Sequence, residues 1–342
     1  MRRLLLLSGL VIVGLSTYNF SLLHYAYKQG IGQLSIVWHS RPVNEVLGEA
    51  DISDSLKQQL QLVQAIREFA FDSLGLKHSD NYTTFYDQKG KPILWAVTAS
   101  DRFRLRAYQW YFPFLGAVPY KGFFEHAAAV KEDSLLRQKG YDTGIGNIRG
   151  WSTLGWFKDP ILSGMLENSE GALANLIIHE LWHGTLFVKD SVDFNENLAS
   201  FAGEQGAVLF LQSRYGQKSE QLQAYQAELI KDRAFVDYML LGAKQLDSLY
   251  CTFNEKQTEE FKEQQKQLLI HSLVDRLDSL AALGMIGQRR KSPRLKYPNN
   301  TLFMDFLRYD SRRGDFLKEL QGVYGSDIKA YLTALRKRYS GL

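Results

Sequence analysis

The chain contains very little cysteine: among its 342 residues there is one, Cys251. A single thiol excludes a framework of disulfide bonds and any zinc module built on several cysteines. A marked excess of one charge sign is also missing, since 41 Lys and Arg stand among 37 Asp and Glu. This balance gives no electrostatic argument for a nucleic-acid-binding protein. The sequence also lacks internal repeats and low-complexity linkers, which predicts one domain rather than two.

The amino-terminal segment is much more hydrophobic than the rest of the chain. Arg2 and Arg3 precede an apolar run from Leu4 to about Leu15, and the segment stays uncharged to Leu23. A bilayer-spanning helix needs about 20 such residues, and basic residues ahead of them keep the amino terminus in the cytoplasm. No small-x-small cleavage motif follows, and no cysteine stands where a lipoprotein is acylated.

We therefore expect an uncleaved membrane anchor over residues 1–23 rather than a removed signal peptide. The remaining residues, 24–342, are expected to form a single exported domain on the periplasmic or extracytoplasmic side of the membrane.

Hydrophobic spacing predicts an α+β fold that is predominantly helical, with a small antiparallel sheet in the first half. Apolar residues recur at helical spacing over residues 52–76, where Ser53 can cap the start of the helix. The segments 82–86 and 93–99 predict a hairpin or two separate sheet strands. From residue 171 onward, helical patterns dominate.

Two further segments carry unusual composition. Residues 110–124 are dense in aromatic side chains and include two prolines and two glycines, which predicts an ordered loop. Residues 255–267 are rich in Lys, Glu and Gln, which predicts a solvated helix face.

One motif indicates catalytic chemistry: residues 179–183 read HELWH. On a helix, His179 and His183 lie one turn apart on the same face, so both imidazoles can reach one metal ion. Glu180 then points toward a water held by that metal and can act as a general base. The pattern is typical of zinc hydrolases, although the motif also arises by chance, and it predicts a Zn²⁺ cofactor.

A zinc site of this kind needs a third protein ligand and an open position for water. The next helical pattern, over residues 194–210, contains Glu196 and Glu204, which are two turns apart and cannot both ligate one ion. We predict Glu196 as the ligand, against the alternative of an exposed acid favoured by the helix dipole. Small residues that would let this helix approach the first one closely are Ala199, Ser200, Ala202 and Gly203.

The HELWH motif, the helical pattern that follows it and several further blocks of the sequence resemble the bacterial putative aminopeptidase family, whose members are commonly exported or lipid-anchored. The resemblance implies a zincin-like fold with a gluzincin-like zinc site, a peptide substrate and aminopeptidase activity, and Glu196 is similar to the third ligand of Glu-ligand zinc peptidases. Gly184 departs from the family, which usually has glutamine there. The similar blocks are RPVNEVL (41–47), IREFAFDSLGL (66–76), WYFPFLGAVPYKGFF (110–124), STLGWFKDPIL (152–162), LIIHELWHGTLFVK (176–189), FNENLASFAGEQGA (194–207) and YPNNTLF (297–303).

The site also requires a group that stabilises the oxyanion of the reaction. Four residues ahead of the motif are candidates that the sequence does not rank: Tyr120, His126, Tyr141 and Arg149. Glu204 is left with two roles, either holding a ligand histidine or receiving the amine of a substrate.

Two alternative functions stay open. One is a zinc endopeptidase of the cell envelope, with the same ligands but a cleft open at both ends. The other is a non-catalytic, membrane-anchored binding module in which the motif is accidental. The expected partners are a peptide and the membrane, with no nucleic acid.

Overall fold

The structure, a computed structural model, describes residues 20–112, 116–147, 158–286 and 298–339. Residues 1–19 of the anchor predicted over residues 1–23 lie outside the described residues. The first described helix, α1, spans Phe20–His39. Among the helices of these ranges, none combines the length and the hydrophobicity that a bilayer-spanning segment requires.

Short strands occur in the first half of the chain and pair into small sheets. Their order within the sheets is β1-β2-β8, β6-β3-β7 and β4-β5. All of these pairs are antiparallel except β2 with β8, which is parallel. The strands are β1 (Arg41–Pro42), β2 (Thr84–Tyr86), β3 (Trp95–Ser100), β4 (Trp110–Phe112), β5 (Gly116–Val118), β6 (Tyr120–Phe123), β7 (Asp142–Asn147) and β8 (Ile161–Leu162).

Helices make up most of the remaining described chain, so the predicted α+β, predominantly helical fold class is confirmed. Ser53 caps the third helix by accepting a hydrogen bond from Leu56 N at 3.3 Å, as the sequence predicts. The helices after α1 are α2 (Val43–Gly48), α3 (Asp54–Asp72), α4 (His126–Gln138), α5 (Glu170–His183), α6 (Val192–Tyr215), α7 (Glu220–Cys251), α8 (Glu259–Ala282), α9 (Asn300–Asp310), α10 (Arg313–Tyr324) and α11 (Ile328–Tyr339).

Two predictions for the strand region are corrected by the structure. The hairpin alternative is wrong, because β2 pairs with β1 and β8 while β3 pairs with β6 and β7. The loop predicted over residues 110–124 instead contains β4, β5 and β6. At Gly116, where β5 begins, the backbone adopts a φ of +76°, which favours glycine, and Gly122 pairs with Ala96 of β3.

The helix that carries the HELWH motif, α5, lies at the centre of the largest core cluster. It packs against α3, α6 and α7. Full burial of one such aliphatic or aromatic side chain contributes about 1.5–3 kcal/mol, so the helix is a rigid platform for its polar face. Its side chains that are at most 2 % exposed are Leu173, Ala174, Ile177, Ile178, Leu181 and Trp182.

Residues 255–267 do not form a wholly solvated face, because Lys266 is completely buried. Its ammonium group lies 3.0 Å from Asp142 Oδ1 on β7 and 3.0 Å from Glu263 Oε2. The same Asp142 carboxylate accepts a hydrogen bond from the backbone N–H of Asn300 at 3.0 Å. Next to it, the Asn299 side chain caps α9 by accepting from Thr301 N at 3.0 Å. This network therefore fixes the start of α9 against the sheet.

Candidate active site

The two motif histidines come together on one face of α5. Their Nε2 atoms lie 3.2 Å apart, and their ring planes are nearly perpendicular, with centroids 4.9 Å apart. The His179 side chain is 15 % exposed and that of His183 only 7 %. The i, i+4 spacing on a helix produces this proximity directly.

Glu196, in the second turn of α6, reaches the same point from the other side. Its Oε2 atom lies 3.3 Å from His179 Nε2 and 3.4 Å from His183 Nε2. The three side chains form a group of potential metal ligands whose donor atoms all lie within 4.8 Å of one another. The structure thus brings together the three residues that the sequence singles out as ligands.

The triangle of donor atoms has the dimensions of one face of a tetrahedral metal site. Ligands held tetrahedrally at about 2.0–2.1 Å from zinc lie about 3.3–3.4 Å from one another. The observed edges are 3.2, 3.3 and 3.4 Å, and the donors are two imidazole nitrogens and one carboxylate oxygen. Three such ligands leave the fourth position of a tetrahedron open.

A close approach of α6 to α5 makes this geometry possible. A Cβ atom at position 203 would lie 2.8 Å from the backbone oxygen of Asn175 and 3.3 Å from the Cβ of His179. Only glycine fits that contact, so Gly203 lets the two backbones pack together beside the ligand histidine. The close helix approach predicted from the small residues of α6 is therefore confirmed.

The connection between α5 and α6 is held by a buried asparagine. The side chain of Asn195 accepts a hydrogen bond from Val188 N at 2.9 Å and donates one to Val188 O at 2.8 Å. Asn195 is 2 % exposed, so both bonds are shielded from water. Because Glu196 follows directly, this pair of bonds fixes where the first turns of α6 present the carboxylate.

Glu196 and His183 shift each other's pKa. Burial alone would raise the pKa of Glu196, but the neighbouring imidazoles of His183 and His179 hold it far below its usual range. Burial alone would lower the pKa of His183, but Glu196 raises it above the ordinary value. The negative carboxylate of Glu196 therefore lies against the imidazoles of His179 and His183. A divalent metal ion would find one negative oxygen and two nitrogen donors there.

Glu180 is half-buried beside this group. Burial raises the pKa of Glu180, the two motif imidazoles oppose that shift, and the charge of Glu196 adds to it. These interactions show that its carboxylate lies within electrostatic reach of all three ligand side chains. A carboxylate in this position can accept and release a proton near the site.

Two tyrosines flank the ligands. Burial, followed by the charge of Glu196, raises the pKa of Tyr120 on β6 to about 12. On α9, Tyr309 has its ring centroid 6.5 Å from that of His179, and burial and Glu196 raise its pKa well above the ordinary value. Both phenols are thus protonated at neutral pH and can donate hydrogen bonds in the site. Sequence reasoning missed Tyr309, because nothing in the residues of α9 links it to a motif 126 positions upstream.

Two of the other oxyanion candidates, His126 and Tyr141, have their ring contacts with aromatic residues rather than with the candidate ligands. His126 is exposed at the start of α4 with its ring against Trp95, 4.3 Å between centroids. The ring of Tyr141 lies 5.0 Å from that of Tyr108, in the aromatic cluster beside β3. Arg149 lies outside the described residues.

Glu204 pairs with two arginines rather than with a motif histidine, and a role in receiving a substrate amine stays a prediction. Its Oε2 atom accepts hydrogen bonds from Arg313 at 2.9 Å and from Arg233 at 3.1 Å. Because both guanidinium groups neutralise this carboxylate, Glu204 ties α6 to α7 and α10. Among the described residues, it forms no hydrogen bond to a ligand histidine.

Comparison with known proteins agrees with the resemblance in the sequence. The family model described as putative aminopeptidase matches residues 24–339, which is nearly the whole chain. Searches among curated proteins and among solved structures found no match. The extent of the family match shows that the chain belongs to the putative aminopeptidase family.

Proposed function

We propose that the protein is a zinc-dependent aminopeptidase that removes amino-terminal residues from peptides. The observation that carries the proposal is the triangle formed by the Nε2 atoms of His179 and His183 and the Oε2 atom of Glu196, with edges of 3.2–3.4 Å. Nitrogen and carboxylate donors at this spacing suit zinc, and three protein ligands suit a catalytic rather than a structural site. Membership of the putative aminopeptidase family supports the peptidase part of the proposal.

A zinc ion held by these ligands would act as a Lewis acid that activates water and polarises the scissile carbonyl. Glu180 accepts the proton of the attacking water on its carboxylate and later delivers it to the nitrogen of the leaving amine. Burial raises the pKa of Glu180, which makes its carboxylate a stronger base toward the proton of the attacking water. Among the described residues, the protonated phenols of Tyr120 and Tyr309 are the donors that we propose to stabilise a developing oxyanion.

The test combines metal analysis with a panel of reporter substrates on the purified full chain. We expect stoichiometric zinc, release of the fluorophore from aminoacyl reporters, and no release from the same reporters with an acetylated amino group. Cleavage of a blocked peptide at an internal bond would instead indicate a zinc endopeptidase. A protein that neither retains zinc nor hydrolyses any reporter would be a non-catalytic binding module.

We further propose that residues 1–23 anchor the protein in the membrane and that the catalytic domain faces the extracytoplasmic side. The support is the order of basic and apolar residues, Arg2 and Arg3 before the run from Leu4 to Leu15. Carbonate extraction of membranes should leave the full chain in the pellet, and protease added outside the cytoplasmic membrane should digest the domain. Release of the chain by carbonate would contradict the anchor.

A further inference from the structure

Helix α1 has an inner face that packs against the rest of the protein. The hydroxyl of Tyr25 and the side-chain amide of Gln29 both donate to Gly122 O on β6, at 2.9 and 3.1 Å. Gly32 packs against the ring of Phe124, and Ile36 is 3 % exposed in the main core cluster. These contacts fix how the helix is rotated about its own axis.

The outer face of α1 carries an apolar stripe with no partner among the described residues. Spacings of four, four, three and four residues place these side chains on one side of the helix, along about 22 Å of its axis. A monomeric soluble protein seldom displays so continuous an apolar row. The stripe consists of Leu23, Tyr27, Ile31, Leu34 and Trp38, which are 54 %, 63 %, 48 %, 57 % and 86 % exposed.

The charge and composition around the stripe indicate what covers it. No Asp or Glu occurs in the sequence before Glu45, and Arg2 and Arg3 are basic, while Lys28 and Arg41 form ion pairs with Glu125 and Glu49. Such a segment is attracted to anionic lipid headgroups. The stripe also contains Tyr27 and Trp38, the side-chain types that concentrate at the boundary between lipid and water. It begins where the uncharged apolar run over residues 4–23 ends, so the covering surface and that run are adjacent in the chain.

We propose that the outer face of α1 lies flat in the interfacial region of an anionic bilayer and holds the domain against the membrane. The inference rests on the proposed membrane attachment and is independent of the zinc site. The helix has the features of an interfacial element, one apolar face with aromatic residues and basic residues nearby. Because the inner face is bonded to β6, this contact also sets the orientation of the domain relative to the bilayer.

The test uses the full chain in lipid nanodiscs of phosphatidylcholine with phosphatidylglycerol. In a Cys251→Ser background, a nitroxide is attached at Leu34→Cys on the stripe or at Ile230→Cys on α7, a matched helical position that is 67 % exposed. Collision of the label with oxygen, which partitions into lipid, is compared with collision with a water-soluble nickel chelate. We expect an oxygen-to-nickel accessibility ratio about tenfold higher at position 34 than at position 230. In discs of phosphatidylcholine alone, the ratio at position 34 should fall toward that at position 230.

Equal ratios at the two positions in the anionic discs would overturn the proposal, because the stripe would then face water. Shielding of the label at position 34 from both reagents, with spin coupling between chains, would also overturn it and identify a second copy as the partner. Failure of the full chain to enter the discs would contradict the anchor itself, and with it the docking of α1. Water exposure of position 34 on a chain that does enter the discs would contradict only the docking.

Discussion

Two buried polar clusters of this protein differ in how completely their charges are partnered. In the lysine cluster, the Lys266 ammonium group contacts both oxygens of Asp142, Glu263 Oε2 and the Arg102 carbonyl, all within 3.3 Å. In the ligand cluster, the hydrogen bonds and ion pairs between the side chains of His179, His183 and Glu196 are at 3.2–3.4 Å. The lysine cluster pairs its ammonium group with oxygen acceptors, whereas the ligand cluster brings two imidazole nitrogens and one carboxylate oxygen close together.

The difference separates a structural role from a functional one. A buried ammonium group with several acceptors needs no further ligand, and its removal lowers the free energy of unfolding. A cluster of donor atoms brought close together gains from an added cation, which all three side chains could bind at once. Near it, His183 Nδ1 is buried without a hydrogen-bond partner in the described part of the chain. The ligand cluster is thus the site where ion binding and chemistry are expected.

The largest effect is expected for Glu180→Gln, which keeps the shape of the side chain but removes its ability to take a proton. Hydrolysis of an aminoacyl reporter should fall by about 10²–10⁴-fold in kcat, the contribution typical of a general base. Zinc content and thermal stability should match the wild type, because the ligands are untouched. Activity within a few-fold of wild type would show that Glu180 is not the base.

Glu196→Ala tests the ligand cluster directly. Zinc affinity, measured by competition with a chelating dye, should fall more than the roughly 10–100-fold typical of losing an outer hydrogen-bond partner. Glu204→Ala is the matched control on the same helix, since it frees two arginines but removes no donor from the triangle. It should lower stability and keep the metal. Loss of zinc in Glu204→Ala together with retention in Glu196→Ala would reverse the assignment.

Lys266→Met tests the lysine cluster by leaving Asp142 buried without its main counterion. The free energy of unfolding in urea should fall by about 3–5 kcal/mol, as when one partner of a buried ion pair is removed. Lys256→Met, at an exposed position, is the control and should stay near the wild type. Zinc affinity of the folded variant should be unchanged. An unfolding free energy within about 1 kcal/mol of wild type would contradict the structural role.

The smallest effect is expected for Asp310→Asn, near the Glu204 cluster. Burial, with help from Glu204, raises the pKa of Asp310 from 3.8 to about 7. Between pH 3.8 and about pH 7, Asp310 holds a proton in the folded protein that it has lost in the unfolded chain. Asp310 therefore stabilises the folded protein below about pH 4, and this contribution disappears as the pH rises toward 7. Because asparagine cannot ionise, Asp310→Asn should lose the part of the fall in unfolding free energy with rising pH that Asp310 causes.

Urea unfolding at pH 4.5 and pH 8 measures the effect as the difference between variant and wild type. Asp315→Asn, an exposed position on α10, serves as the control. A wild-type pH slope that persists in Asp310→Asn would show that other groups cause it.

Local periodicity made parts of the candidate site predictable. The i, i+4 spacing of His179 and His183 depends only on helix geometry, and the apolar residues around them already indicate a helix. The small residues of α6 similarly predict close packing on α5, which Gly203 achieves. The choice of Glu196 over Glu204 agrees with the donor triangle, although its role as a zinc ligand stays a prediction until metal binding is measured.

Contacts between distant segments could not be read from local patterns. Lys266 occurs in a stretch rich in charged residues. The carboxylate of Asp142, 124 residues away in the sequence, offsets the free-energy cost of burying its ammonium group. The segment of β4–β6 is predicted as a loop because its glycines and prolines are typical of turns. In the structure, β4 and β5 pair with each other, and β6 pairs with β3 from an earlier part of the chain.

The sequence by itself therefore determined the predominantly helical fold class, the helix that carries the HELWH motif, and the identity of the candidate ligands. These features depend on spacing within one or two turns, where backbone geometry leaves few alternatives. The tertiary structure alone decided that Tyr309 faces the ligands, that Glu204 pairs with arginines, and that Lys266 is buried. Each of these depends on which elements pack together, and the charge or aromaticity of a side chain gives no information about its partner on another element.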